Sequence, residues 1–317
     1  MDEVLSAVIA RLPLTPGVYR FRDAAGRVLY LGRATTLRRR VASYWSDLRD
    51  RRHLAPMVAR VSRVEAVACD SVHEAAWLER NLLTASLPPW NRTPGGQEIP
   101  VYIRLDPQPS RPGLSVARVV RGGGTALYFG PYLGGRRVRQ AVKGLSRIAP
   151  LAYTGTGLRG TGLDIARARG MAGADRASCV ATISAVLRRQ PEAVTDARAR
   201  LAELRDRAAS ALAFELAGDI TAELRALDWV TSPQRASSMD AANFTASGWS
   251  GGVLTSFVAR RGQICEWVQS SCPSSAAVAR LAGTPPDWAD FAQRNAELAA
   301  LLVSERAMGA KTRARSG

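Results

Sequence analysis

The sequence predicts a mixed α/β (α+β) protein in four parts: a small α/β domain over 1–98, a mixed α/β segment over 99–190, a helical hairpin over 191–230, and a linker, β-hairpin and C-terminal helix over 231–317. Three observations predict it. Residues 17–23 and 28–32 cluster branched and aromatic side chains around the turn Asp23-Ala24-Ala25-Gly26, the pattern of a β-hairpin. Between 192 and 228, Val194, Ala197, Leu201, Leu204 and Ala208 form an apolar stripe at helical spacing, which resumes after Gly218 at Ile220, Leu224 and Leu227. Residues 253–269 alternate across Arg261-Gly262, which reads as a second hairpin.

The remaining elements follow in order. A helix covers about Leu37 to Trp45, a second Ala55 to Val61, and a strand 64–68. Ser71 opens a helix running to Ala85, in capping-box spacing with Glu74, and Pro88-Pro89 ends it. Strands are expected at 99–105, 113–120 and 125–132, and a helix with a basic exposed face at 136–149. The glycine-rich loop 153–162 lacks the GxxxxGK[ST] spacing of a phosphate loop. Helices resume near 163–172 and 176–188. The stretch 231–252, rich in Ser, Ala and Gly, reads as a linker, and the closing "KTRARSG" as a frayed basic end.

Composition narrows the function classes. In 317 residues, 44 basic groups face 27 acidic ones, a net charge of +17 carried by arginine except at Lys143 and Lys311. Such a field attracts polyanions, of which nucleic acid is the commonest in a cell. Cys69, Cys179, Cys265 and Cys272 form no CxxC pair, which argues against a disulfide framework and a structural zinc. Only His53 and His73 exist, too few for a histidine-rich metal site. No apolar run approaches the ~20 residues of a membrane span. The first residues open acidic without a basic leader, so a cytoplasmic protein without a membrane partner is expected.

Chemistry concentrates in the first part. Tyr19 and Tyr30, on paired strands, can project onto one face. A phenol titrates at ~10 in water, so it needs neighbouring cations to exchange protons near neutrality. Arg38, Arg39 and Arg40 follow, and Tyr44 shares a helix face with Arg40 at i, i+4. Glu79 and Asn91 add a carboxylate and an amide. This is a phosphodiesterase set: the carboxylate holds one divalent ion, the arginine steadies charge on phosphorus, and a tyrosine relays the proton of the attacking water.

The string "PGVYRF…GRVLYLGRATTLRRRVASYW…EAAWLERNLL…PPWN", over roughly 14–92, resembles the GIY-YIG nuclease domain in the form found in UvrC-type excision-repair endonucleases. The resemblance implies Tyr19 and Tyr30 as the namesake tyrosines, Arg40 as catalytic arginine, Tyr44 as helix tyrosine, Glu79 as metal ligand and Asn91 as positioning amide. Arg33 stands where that family usually has lysine and joins Arg40 in the expected catalytic set. Arg38, Arg39, Arg49, Arg51, Arg52, Arg60, Arg136, Arg137, Arg139 and Lys143 are expected to track the flanking DNA backbone.

Residues 126–151 resemble the segment that follows the nuclease in UvrC, and 201–227 resemble the UVR hairpin through which UvrC engages UvrB, with Ala222-Glu223 in place of an Arg-Asp pair. The interval that carries the cluster cysteines of that family holds Cys179 alone, so no iron–sulfur cluster is expected. Nothing here resembles the RNase H-like half of UvrC. The resemblance therefore implies a one-cut enzyme like the Cho-type homologues, using one Mg²⁺ or Mn²⁺ and cutting damaged or distorted duplex on the 3′ side. It implies a bacterial, nucleoid-associated setting, with UvrB or another helicase engaged through 201–227. The alternative is a catalytically reduced DNA-binding adaptor acting through the hairpin.

Overall fold

The structure, a computed structural model, describes residues 3–46, 48–95, 98–109, 113–154, 160–168 and 175–315. It is a mixed α/β fold with three antiparallel three-stranded sheets, divided into two compact units: Met1–Gln97 together with Pro233–Gly317, and Glu98–Ser232.

Helix α1 (Glu3–Arg11) opens the first unit, an element beyond those the sequence predicts. Nine residues make a marginal helix by themselves. Here Leu5, Val8 and Ile9 are buried in the core, which supplies the stability. Strands β1 (Gly17–Arg22) and β2 (Val28–Ala34) form the expected hairpin, and β3 (Arg63–Ala68) pairs with the other edge of β1, giving the order β2-β1-β3. Helix α2 (Leu37–Ser46) buries Leu37, Val41 and Tyr44 against Tyr19 and Phe21 of β1.

The expected helix from Ala55 to Val61 is shorter than the sequence suggests. A 3₁₀ turn over Arg49–Leu54 leads into one turn, α3 (Ala55–Val58), and the backbone of Arg51 (φ −136, ψ 33) leaves the helical path. Helix α4 (Val72–Ala85) starts at Ser71, whose Oγ accepts the Glu74 N–H at 2.9 Å. The Glu74 carboxylate accepts the N–H of Asp70 at 2.7 Å, so the expected box closes one residue earlier than its usual form.

In the second unit, β4 (Pro100–Leu105) lies between β5 (Leu114–Ala117) and β6 (Leu127–Leu133). The strand expected at 113–120 keeps four residues, because pairing with β4 ends at Tyr102↔Ala117. Helix α5 (Gly135–Ile148) buries Val138, Ala141 and Leu145 and leaves its basic face exposed. Helix α6 (Thr161–Ala168) covers the start of the expected 163–172 helix, whose remainder lies outside the described residues, as do 155–159 of the glycine-rich loop. Helix α7 (Arg176–Leu187) is capped by the Asp175 carboxylate.

The hairpin of α8 (Pro191–Ser210) and α9 (Phe214–Thr231) is present. Its stripe, including Ala197, Leu201, Ile220 and Leu227, is spent on the core of this unit. Glu223 is buried there, and both carboxylate oxygens accept from Arg147 of α5, at 2.6 and 3.0 Å. The Ala222-Glu223 pair thus has an internal role. At the bend, Leu212 (73% exposed) and Phe214 (67%) project into solvent.

The chain then returns to the first unit. The linker expected at 231–252 contains a strand, β7 (Phe244–Ser250), which joins β8 (Val253–Arg260) and β9 (Gln263–Ser271) in a sheet of three rather than a hairpin of two. Its Ser, Ala and Gly content favours a loop. Tertiary contacts decide otherwise: Phe244 packs on Trp288 (ring centroids 5.2 Å apart), and the Thr284 hydroxyl accepts the Ser247 N–H and donates to the Ser247 carbonyl. Helices α10 (Ser274–Ala282) and α11 (Pro286–Arg315) close the unit, with side chains described to Val303. The expected fraying of 311–317 falls on residues whose side chains lie outside the described ones.

Residues 233–303 pack on the nuclease-like part. Leu302 joins the core with Leu5 and Tyr44, and Arg20 donates to the Trp267 carbonyl at 2.7 Å with its guanidinium 3.9 Å from the indole ring. The fully buried Asn295 accepts the Ala68 N–H (2.8 Å) and donates to the Ala68 carbonyl (3.2 Å), closing the outer edge of β3. Asn295→Leu leaves both backbone groups without partners, and each buried orphan costs about 1–3 kcal/mol. A loss of about 2–4 kcal/mol in denaturant unfolding of this unit is expected.

Candidate active site

The two motif tyrosines come from one hairpin. In the β1–β2 register Tyr19 faces Gly32 and Phe21 faces Tyr30, so both phenols lie on the same side of the sheet. Tyr44 enters from α2. The three rings sit 5.9–6.3 Å apart, with Tyr19 and Tyr44 fully buried and Tyr30 half-buried. Close packing explains the glycines beside them. A β-carbon on Gly32 would stand 2.6 Å from the Tyr19 hydroxyl, and one on Gly17 would stand 2.2 Å from the Val67 carbonyl oxygen.

Buried hydroxyls need partners. The Tyr19 and Tyr44 hydroxyls bond to each other at 2.7 Å. Burial, the neighbouring Tyr44 and Tyr30 phenols and that bond hold Tyr19 protonated well above the usual tyrosine value, with Arg40 opposing. Tyr30 is raised too, by burial first, then by Tyr44 and the Glu79 carboxylate. Arg40 lies with its guanidinium carbon 5.6 Å from the Tyr44 ring centroid. Burial lowers its proton affinity, but the three phenols outweigh that and raise it.

Glu79 and Asn91 reach the same hairpin from its open edge. Asn91 Oδ1 accepts the Leu31 N–H at 2.9 Å and its Nδ2 donates to the Leu31 carbonyl at 2.8 Å. The Trp90 N–H bonds the Leu29 carbonyl, and Glu79 Oε1 accepts the Arg33 N–H at 3.1 Å. The outer edge of β2 is therefore closed by the tail of the domain. Glu79 Oε2 lies 3.4 Å from Arg33 Nε, with the carboxylate part-exposed.

The structure brings Tyr19, Tyr30, Tyr44, Arg33, Arg40, Glu79 and Asn91 to one side and one edge of a single hairpin. It alters one expected role. Asn91, expected as the positioning amide, spends its carbonyl and an N–H on strand β2 and so acts on the strand. As a cation site, one part-exposed carboxylate suits a hard ion that keeps most of its water, as Mg²⁺ does. No cluster of three or more His, Cys, Asp or Glu side chains occurs among the described residues.

Of the arginines expected along the DNA, Arg38, Arg39, Arg52 and Arg60 are exposed, Arg38 with its Nε on the Leu12 carbonyl and Arg60 3.6 Å from Asp23. The side chain of Arg49 lies outside the described ones. In the second unit Arg136, Arg137, Arg139 and Lys143 are exposed along α5. Arg51 departs from the pattern: its guanidinium carbon stands 4.5 Å from the Tyr44 ring centroid, closer than Arg40. Position 51 lies seven residues beyond 44, a helical spacing, but α2 ends at Ser46 and the backbone leaves the helical path at Arg51, so that spacing did not signal the contact. Phe21, 5.0 Å from the Tyr44 ring, is likewise part of the site's wall.

Residues 15–92 match the family model of the UvrC-like GIY-YIG domain. The UvrABC system protein C of Geobacter metallireducens is 38% identical over 143 residues, 45% of this chain and 23% of that protein. The homologous protein of Symbiobacterium thermophilum is 32% identical over 242 residues, 71% of this chain and 37% of that protein, a stretch reaching beyond the matched domain. The chain thus spans well under two thirds of these relatives' length. Among solved structures, the GIY-YIG N-terminal endonuclease domain of UvrC from Thermotoga maritima, bound to its catalytic magnesium, is 25% identical, covering 29% of this chain and 99% of that one at a TM-score of 0.26.

The buried phenols give the site a spectroscopic signature. Tyr19 and Tyr30 titrate above the ordinary tyrosine value, and Tyr132 of the second unit is raised to about 12 by burial. Their folded values exceed the unfolded ~10, so the stability they contribute is complete below ~10 and is lost as pH rises through the folded values. Phenolate absorbance at pH 11 should show these three of the seven tyrosines still protonated in the native protein and ionised in denaturant.

Proposed function

We propose that the chain is a metal-dependent DNA endonuclease that makes one phosphodiester cut. One arrangement supports this above all: Glu79 meets the strand that carries Tyr30, beside the Tyr19–Tyr44 pair and Arg40. Glu79 would hold a divalent cation, Mg²⁺ or Mn²⁺, which when bound neutralises charge on the leaving oxygen.

The protein's own groups divide the remaining work. Arg40, kept charged by three phenols, stabilises negative charge as it grows on the phosphate. Tyr19 is fully buried and committed to Tyr44, so it acts on the architecture. Tyr30 is half-buried and stays neutral well above pH 10. It therefore serves as a relay rather than a phenolate base: its hydroxyl takes the proton of the attacking water as it releases its own to solvent water. Arg33 orients Glu79 from both its backbone N–H and its guanidinium. Asn91 holds the strand between them. The exposed arginines 38, 39, 52 and 60, the arginine at 49, and Arg136, Arg137, Arg139 and Lys143 contact flanking phosphates.

The substrate is damaged or distorted duplex, since no element among the described residues resembles a base-reading helix, and the cut falls on the 3′ side of the lesion, as in the Cho-type homologues the chain resembles. The hairpin of 201–227, with Leu212 and Phe214 exposed at its bend, docks UvrB or another helicase. Chemistry proceeds without an iron–sulfur cluster, because Cys179 is the sole thiol of the interval between the nuclease part and the hairpin. The setting is the bacterial cytoplasm, at the nucleoid.

Purified protein with Mn²⁺ should nick an end-labelled, lesion-bearing duplex. Glu79→Gln should lower the rate by ~10³-fold, the equivalent of several kcal/mol of transition-state stabilisation, while DNA binding persists. Nicking that survives in Glu79→Gln would refute the assigned site. DNA binding by the wild type without cleavage of damaged, flapped or bubbled substrates would favour a non-catalytic adaptor.

A further inference from the structure

Six guanidinium groups of the nuclease-like part pair with carboxylates. Arg20, Arg22 and Arg63 pair with Glu65, Arg27 and Arg60 with Asp23, and Arg33 with Glu79. Arg40 and Arg51 pair with no carboxylate among the described residues, and both lie against the ring of Tyr44. Arg51 is held there by a short chain of bonds. Its Nη2 donates to Ser43 Oγ at 3.0 Å, and Ser43 Oγ donates to the Arg40 carbonyl at 2.8 Å. Its Nη1 is buried with no hydrogen-bond partner among the described residues. The non-helical backbone at Arg51 is what turns the side chain back toward α2.

An Arg placed only to track a distant phosphate would extend into solvent, as Arg52 does. Burying one N–H without a partner is unfavourable, a penalty that contact with the aromatic face offsets in part. We propose that Arg51 is a positioning residue of the nuclease site: it acts through Tyr44, fixing that ring and so the hydroxyl bond to Tyr19, and it leaves a second unneutralised positive charge beside Arg40. The inference rests on the nuclease reading and changes the role of Arg51 from flanking DNA contact to part of the catalytic constellation's support.

Arg51→Met keeps the aliphatic stem and removes the charge and the tether. It should lower kcat about tenfold to a hundredfold, the scale of a misplaced catalytic group, with KM within about twofold and thermal unfolding close to wild type. Arg51→Lys, which keeps a cation over the ring, should recover part of the loss. Ser43→Ala should cost less, and adding it to Arg51→Met should cost nothing further, because the tether is already gone. A loss confined to KM would overturn the proposal in favour of a flanking phosphate contact, and wild-type kcat in Arg51→Met would overturn it outright. If the methionine variant does not fold, the kcat–KM split of Arg51→Lys against wild type decides in the same way. Ring NMR signals of Tyr19 and Tyr44, recorded without DNA or metal, should shift in Arg51→Lys. Unmoved signals reject the positioning role, whereas shifted signals in a protein with no nuclease activity reject the nuclease reading alone.

Discussion

A three-stranded sheet has two open edges, and every backbone N–H and C=O on them needs a partner. In the nuclease-like part both edges are closed by side chains from far along the chain. Asn91 imitates a strand on β2 by bonding both the N–H and the carbonyl of Leu31, and Glu79 takes the next outward N–H, that of Arg33. Asn295 does the same for Ala68 on β3. The carboxylate and the amide of the candidate site are thus where they are because the strand bearing Tyr30 would otherwise present unpaired backbone. Folding and site assembly share the same hydrogen bonds.

The opposite side of the hairpin obeys a different constraint. Three phenols are packed within 6.3 Å of one another, and two of them are withdrawn from water altogether. Burial holds Tyr19 and Tyr30 protonated above the ordinary tyrosine value, and Arg40 and Arg51 lie on the Tyr44 ring without carboxylate partners among the described residues. Two guanidinium groups stand on this face, while the carboxylate stands at the strand's edge. The two signs are thus separated across one hairpin, arginines against the phenol face and the Glu79 carboxylate at the strand's edge.

Much of this was legible before any coordinates. The hairpin, the shared face of Tyr19 and Tyr30, the i, i+4 relation of Arg40 and Tyr44, and the cap at Ser71 are set by local periodicity and turn chemistry, which act over a few residues. The misses have a common cause. Residues 244–250 look like linker, yet Thr284 and Trp288 make them a strand; Arg51 looks like solvated charge, yet a break in the helix turns it onto Tyr44. Helix α1 is too short to announce itself and exists through what it packs on.

The sequence by itself determined the elements, the charge and the residue types at the candidate site, since each depends on neighbours a turn or a strand pair away. Tertiary structure alone decided that Asn91 serves the strand, that Glu223 is spent on Arg147, and that Asn295 caps the edge of the sheet bearing the tyrosines. These are long-range pairings of backbone and buried polar groups, chosen by which partner remains when water is excluded, and no local spacing encodes them.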